Sequence, residues 1–481
     1  MVHHSMAYIL TKMFKLRFSH FSFITRLCTS STYSTVNTSV PLLELKNRHR
    51  SLIDNLDTFV KQSPKKSCCH LVIIPASEIQ YMAYHVPYPF HQDSNFFYFT
   101  GLNEPNGILL VCRNEIEGNG DDVCWSTHLF LEMHNKHAEI WNGPTLTLSE
   151  ASSLTGIKHC YPLNDLRNFL HQQVASSSSL CVWYSPLSSD EPFERPQNKF
   201  VLRNISKFLK EINNKNVSFE NPEHIIDNLR FKKSNYEISQ MKLAVVAAIE
   251  SLESAMQITK PGITETSLQS HIEYQMRSRG CSVGYPPVVA GGYRTNIIHY
   301  MRNNSEIRDG ELILVDAGCR VNGYTSDITR TWPVNGYFSP TQKIVHEILL
   351  EIQKSCASVA SPEKSLQDLY NHMLSEIGRH LVNERIIPDQ DRLYVAQKVC
   401  PHHVGHYLGL DVHDTPTIPY TRRLQAGVVF PLEPGIYFRS DLANLGISKE
   451  FMGIGMRVED DFVMTNDGSI QNLKHVELDK S

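Results

Sequence analysis

Residues 311–329 read ELILVDAGCRVNGYTSDIT, and no other stretch limits the fold as tightly. Asn322-Gly323 is a strong hairpin signal, because both residues tolerate positive φ. The run before it (311–321) reads as one buried strand, and the chain returns from Tyr324. A two-residue turn pairs Val321 with Tyr324, so Asp316 falls opposite Thr329. Asp327, two residues from Thr329, then shares a face with Asp316. Diagonal neighbours on one face lie about 7–8 Å apart, within reach of two inward carboxylates. Asp316 follows Leu312, Ile313, Leu314 and Val315, so its charge is carried into apolar surroundings and needs compensation.

Three further strings carry the same kind of residue. His406 lies in HHVGHYLGLDVHD, where His402, His403, His406 and His413 fall within twelve residues. Glu433 precedes Pro434-Gly435, a turn that fixes its direction, and Glu459 opens an acidic triplet between Val458 and the apolar run FVM. Four carboxylates packed together repel and cannot all remain ionised. Two divalent cations would neutralise them. Paired metals about 3.5–4 Å apart can share a water and convert it to hydroxide near neutral pH. Oxygen ligands with a single imidazole suit manganese best, and cobalt, zinc or iron(II) also bind such sets.

On the strings around these five residues the chain resembles the aminopeptidase P and prolidase family, whose catalytic domain has the pita-bread fold. The resemblance implies that Asp316 and Asp327 chelate one metal, with Asp327 also reaching the second. It implies that His406 and Glu433 complete the other site and that Glu459 bridges. His299 in NIIHYMRNN, His402 and His413 match catalytic and substrate-binding positions, and Glu433 matches the proton acceptor from the bridging water. Arg457 and Tyr437 match residues that orient Asp316 and help move protons. His403 matches no catalytic role. In the N-terminal part, YHVPYPFHQDSNFFYFTGLNEPNGILL (84–110) and EIWNGP (139–144) carry the resemblance. It implies that Trp141 closes a substrate pocket, in some relatives from a neighbouring subunit, which makes a homodimer the expected assembly. Thr145 departs from the pattern, standing where relatives carry a basic residue.

The first 40 residues contain no Asp or Glu but include Lys12, Lys15, Arg17 and Arg26 among many hydroxyl and aromatic side chains. That profile is expected of a mitochondrial transit peptide and a matrix location; without such processing the location would be cytoplasmic. Its removal would leave 42 basic and 50 acidic residues, which does not favour nucleic acid as a partner. No apolar run reaches the roughly 18 residues of a membrane span. The 11 cysteines include no CxxC pair, as expected of free thiols in a reducing compartment. Cys319 falls on the face opposite Asp316 and is not a ligand.

The expected fold class is α+β. An α/β N-terminal domain (44–215) precedes a pita-bread domain (222–475), a curved antiparallel sheet with outer helices implied by the resemblance. In the first, CCHLVIIP, FFYFTG, NGILLVC, HLFLEM and LCVWY read as strands, with helices over 44–61 and 199–211. In the second, Ser234–Glu237 forms a capping box before an apolar stripe at Ile238, Met241, Val245, Ala248, Leu252 and Ala255. Ser339-Pro340 opens another helix and Leu366–Leu381 marks a third.

The activity implied is that of an Xaa-Pro aminopeptidase releasing the first residue of peptide or protein N-termini, preferentially with proline second, within the mitochondrial branch that trims imported proteins. Prolidase shares the ligands, but the segment between Tyr437 and Arg457 is short for it. Methionine aminopeptidase fits poorly with the large N-terminal domain. A catalytically inactive pita-bread binding protein is opposed by the presence of all five ligand residues.

Overall fold

The computed structural model describes residues 40–63, 68–115, 123–134, 136–175, 177, 179–184, 205, 207–208, 210–212 and 216–475. The transit-like segment, and most of the helix expected over 199–211, lie outside the described residues.

The N-terminal strands are β1 (Cys69–Pro75), β2 (Tyr81–Ala83), β3 (Val86–Pro87), β4 (Ile108–Glu115), β5 (Val123–Leu131), β6 (His159–Pro162), β7 (Ser179–Trp183) and β8 (Asn216–Glu220). Six form one mixed sheet in the order β6-β5-β4-β1-β7-β8, while β2 and β3 make a separate hairpin. One expectation fails here. FFYFTG is not a strand but the body of a buried helix, Ser94–Thr100. Asp93 accepts a hydrogen bond from the Phe96 N–H, and Gly101 ends the helix in the left-handed region. A short unbroken apolar run has no period that separates buried strand from buried helix, and here the two caps decide.

The second half contains β9 (Ser282–Val283), β10 (Val288–Gly291), β11 (Leu312–Asp316), β12 (Cys319–Val321), β13 (Tyr324–Thr325), β14 (Thr329–Pro333), β15 (Val429–Leu432), β16 (Gly435–Tyr437), β17 (Gly455–Arg457), β18 (Asp460–Met464) and β19 (Ile470–Asn472). All their pairings are antiparallel. The expected single strand over 311–321 is broken at Ala317-Gly318, and its halves join different sheets, β10-β11-β14 and β13-β12-β9. A side chain at Gly318 would collide with the Ser326 carbonyl, so the backbones approach too closely there for a regular ladder. The hairpin register survives the break: Val321 pairs with Tyr324 and Asp316 with Thr329. Helices Asn235–Ile258, Glu265–Ser278, Pro340–Val359 and Leu366–Asn383 flank these short ladders. The first and third begin with the expected capping boxes at Ser234 and Ser339.

The two halves share one apolar core. Leu45, Val72, Phe96 and Phe97 belong to the same buried cluster as Met241, Val245, Ala248 and Leu410. Buried Arg48 ties the joint: it donates to the Tyr98 carbonyl at 2.8 Å and the Tyr324 hydroxyl at 2.9 Å, and lies 3.7 Å from Glu237. A second tie joins Ser94 and Asn95 to the histidine-rich loop. The Ser94 hydroxyl donates to Asp411 at 2.6 Å, and Arg230 donates to Asn95, Asp411 and Asp414.

The turn glycine of the central hairpin meets the N-terminal half directly. Gly323 has φ +86°, and a Cβ there would lie 2.6 Å from Phe97. Gly336, at φ +84°, has open space around it. Gly336→Ala should therefore lose only the left-handed backbone penalty, about 1–2 kcal/mol. Gly323→Ala should lose a further 1–3 kcal/mol, roughly, from overpacking. Denaturant unfolding of both variants checks this, and equal losses would contradict the packing at the joint.

Candidate metal centre

Four of the five singled-out residues sit where a ladder ends, and His406 lies on the irregular segment before β15. Asp316 is the last residue of β11, Asp327 lies between β13 and β14, Glu433 between β15 and β16, and Glu459 between β17 and β18. His406 follows Gly405, whose bare backbone packs against the Pro431 carbonyl with no room for a side chain. At strand ends the backbone can turn a side chain inward without breaking the pleat. His406 Nε2 lies 3.2 Å from Asp327 Oδ2 and 3.9 Å from Glu433. Ligand atoms of Asp327, His406 and Glu459 all fall within 4.8 Å of one another. Asp316 joins them through Tyr285, whose hydroxyl lies against both carboxylates, 2.6 Å from Asp316 Oδ1.

The charges are poorly matched. Burial, then repulsion from Asp327, pushes Asp316 up to about 6, against the pull of Arg457. Burial pushes Glu433 up to about 7, opposed by His406 and Arg457. Burial and the neighbouring carboxylates hold Glu459 well above the usual range. Burial also works against Asp327, but His406 outweighs it and holds that carboxyl below its ordinary value. His406 shows the converse: burial opposes its charge, and Asp327 more than restores it, to about 9. Four converging acids facing one imidazole and Arg457 form a donor set that fits divalent cations with oxygen preference.

Surrounding groups hold these side chains in place. Arg457 donates to Asp316 Oδ2 at 2.5 Å, to Thr329 Oγ1 at 3.0 Å and to the Tyr437 hydroxyl at 2.9 Å. Thr329 donates in turn to Glu459 at 2.5 Å. His402 Nδ1 faces the His403 carbonyl at 2.8 Å, which only an N–H can satisfy. Its Nε2 is then the acceptor for the Tyr437 hydroxyl at 3.1 Å. Burial and Arg457 push His402 down to about 3, and burial with His406 pushes His413 down to about 4. Both are neutral imidazoles.

The cluster lies on the wall of a cavity of about 1220 Å³, which His299, His402, His403 and His413 also line. The opposite wall comes from the N-terminal half, over Pro75–Gln80 and Tyr88–Ser94. Trp141 is not brought to it. That side chain is 76% exposed on the helix Lys136–Asn142 and lines no part of the cavity, so within one chain it does not close the pocket. The helix is short and offers none of its side chains to the core.

Sequence reasoning passed over three contributors. Tyr285 links two of the acids, Thr329 supports Glu459, and fully buried Asp461 accepts the Asp327 backbone N–H at 3.0 Å. Thr329 was legible as the register partner of Asp316. Tyr285, in VGYPP, carries no local signal of chemistry.

Raised carboxyl values fix the sign of a pH effect. Asp316 and Glu433 move from ordinary values of 3.8 and 4.5 to about 6 and about 7. Groups raised in this way favour the folded state while protonated. Their contribution is full below about pH 4 and is lost as pH rises through about 6–7. Cations replace those protons, so Mn2+ should raise Tm more at about pH 7.5 than at about pH 5. Scanning calorimetry checks this, and an equal shift at both pH values would contradict it.

Residues 239–466 match the model of metallopeptidase family M24, and residues 46–183 match the aminopeptidase P N-terminal domain. The chain is 37% identical to Xaa-Pro aminopeptidase 3 of Rattus norvegicus over 406 residues, 83% of this chain and 77% of the relative. It is 30% identical to the mitochondrial intermediate cleaving peptidase 55 of Arabidopsis thaliana over 415 residues, 85% of this chain and 78% of the relative. Among solved structures it is similar to aminopeptidase P from E. coli, with TM-score 0.78 and 26% identity, covering 91% of this chain and 95% of that one. Fold, site and relatives agree, and the chain belongs to the aminopeptidase P group of metallopeptidase family M24, whose members are metal-dependent aminopeptidases.

Proposed function

We propose that this chain releases the N-terminal residue from peptides with proline second, using two divalent cations, manganese by preference, and that it trims imported proteins in the mitochondrial matrix. The observation that carries the reading is the convergence of Asp316, Asp327, His406, Glu433 and Glu459 on the wall of one large cavity. Asp316 and Asp327 would hold one cation and His406 and Glu433 the other, with Asp327 and Glu459 shared. When bound, the cations supply a water acidic enough to act as nucleophile at neutral pH and positive charge for the developing oxyanion.

The chain's own groups do the rest. Glu433 takes a proton from the attacking water. His413 and His299 hydrogen-bond the carbonyl oxygen as its charge grows, which is worth most in a site closed to water. Arg457 holds Asp316 in place, the Arg457–Tyr437–His402 chain of hydrogen bonds fixes one imidazole beside Glu433, and the proton that Glu433 takes from water passes to the leaving nitrogen. A proline nitrogen has no N–H, so selection for proline rests on the shape of the cavity. The cavity exceeds the roughly 300–1000 Å³ usual for a small ligand, which favours peptides longer than the dipeptides of prolidase. Exposed Ile140 and Trp141 form an adjacent apolar pair suited to a homodimer contact. The mitochondrial relatives and the acid-free first 40 residues support the location.

With manganese supplied, the full chain should cleave Xaa-Pro-Xaa peptides at least about tenfold faster than the matching Xaa-Ala-Xaa series, read as kcat/KM. Cleavage of dipeptides alone would overturn the assignment. Asp327→Asn should abolish turnover, a loss of about 10³-fold or more, with near-native circular dichroism. Undiminished turnover would remove Asp327 from the shared position. Profiling protein N-termini in mitochondria with and without the protein tests the trimming role, and unchanged N-termini would refute it.

A further inference from the structure

The proposed peptidase reading leaves the β2–β3 hairpin unexplained. Its legs, Pro75–Gln80 and Tyr88–Ser94, line the cavity, whereas Tyr81–Pro87 does not. The hairpin itself is exposed and stands outside the cavity wall, next to the two segments that line it. Residues 79–90 contain no Asp, Glu, Lys or Arg. Tyr81, Met82, Tyr84, Val86, Tyr88 and Phe90 are all exposed, Tyr84 at 90%. Stray apolar side chains on a surface are ordinary, but four on one uncharged hairpin, with Tyr88 and Phe90 beside it on the cavity wall, form a patch that calls for an occupant. The two strands form a sheet of their own, with no third strand among the described residues. Its outer edges and aromatic faces suit an extended strand or polyproline segment, which docks on aromatic side chains and leaves its backbone free for hydrogen bonds.

The occupant follows from the geometry of the reaction. An aminopeptidase holds the free amine and first peptide bond at the acid cluster. The rest of the substrate must leave by the mouth, and the opposite wall leads directly onto this hairpin. The residue before a proline is confined to extended backbone, so the start of an Xaa-Pro substrate leaves the acid cluster extended. We propose that the β2–β3 hairpin is a docking surface for the downstream part of the substrate, an extended uncharged segment bearing apolar side chains or proline. This rests on the aminopeptidase reading and adds to it a preference for long polypeptides over short peptides. The absence of charged side chains is the specific argument for the tail chemistry, since acidic or basic tails would find no ionic partner there.

The test uses full-length, manganese-loaded protein and the triple variant Met82→Ser/Tyr84→Ser/Val86→Ser, whose positions lie outside the cavity wall. Peptides share one Xaa-Pro-Xaa start and either stop there or continue to ten residues with an apolar, proline-containing tail or a Gly-Ser tail. The apolar tail should raise kcat/KM by about tenfold in the unmodified protein, the Gly-Ser tail should not, and the variant should lose the gain while cleaving the tripeptide normally. The same three peptides with a reduced first peptide bond report binding by titration calorimetry and should show the same pattern in Kd. A tail gain in binding without any cleavage would sink the peptidase reading and leave the docking surface standing. No tail gain, a gain equal for both tails, or a gain kept by the variant would overturn the docking surface. So would a variant that falls from dimer to monomer and loses tripeptide and long-peptide turnover together, since the patch would then join two copies of the chain.

Discussion

Four buried carboxylates facing one imidazole is the constraint on which the rest of the structure depends. Alone, Asp316, Asp327, Glu433 and Glu459 cannot all be charged, and burial with mutual repulsion pushes three of them upward. The chain accepts this mismatch and builds around it. The ladders in the second half are short, and Asp316, Asp327, Glu433 and Glu459 stand at or between strand ends. Gly318 and Gly405 admit close backbone approach to Ser326 and Pro431, where any side chain would force the two segments apart. Arg457 is the fixed counter-charge, and its three donors orient Asp316, Thr329 and Tyr437 at once. A centre assembled from five separate chain segments needs such a hub, because no single element positions more than one of its groups.

The N-terminal half is part of the site rather than an appendage. A common core runs across the joint, Gly323 packs against Phe97, and Arg48 ties the two halves through buried hydrogen bonds. The second tie, from Ser94 and Asn95 through Arg230 to Asp411 and Asp414, anchors the loop that carries His413. One wall of the cavity is therefore held rigidly opposite the other. The proposed reaction would take place between that wall and the acids opposite it.

Much of the centre was legible because local rules govern it. Asn322-Gly323 fixed the hairpin register, which put Asp316 opposite Thr329 across a break in the strand that the pattern did not reveal. The break itself depends on close contact between Gly318 and Ser326, a tertiary fact with no local mark. The capping boxes at Ser234 and Ser339 were readable from spacing alone, whereas FFYFTG was not, since an unbroken apolar run has neither helical nor strand period. Tyr285 reaches Asp316 and Asp327 from 31 and 42 residues away, and only the folded chain reveals that contact. Trp141 was singled out by resemblance, but the structure leaves it on the outer surface.

The most direct test of the proposed two-cation centre is to count the cations. Equilibrium dialysis of the full chain against Mn2+, followed by elemental analysis, should find two equivalents per chain. Glu459→Gln, which would weaken the proposed shared ligand while keeping its shape, should bind fewer than two at the same free concentration. A single equivalent in the unmodified protein, or two held unchanged by the variant, would contradict a charge-compensated pair.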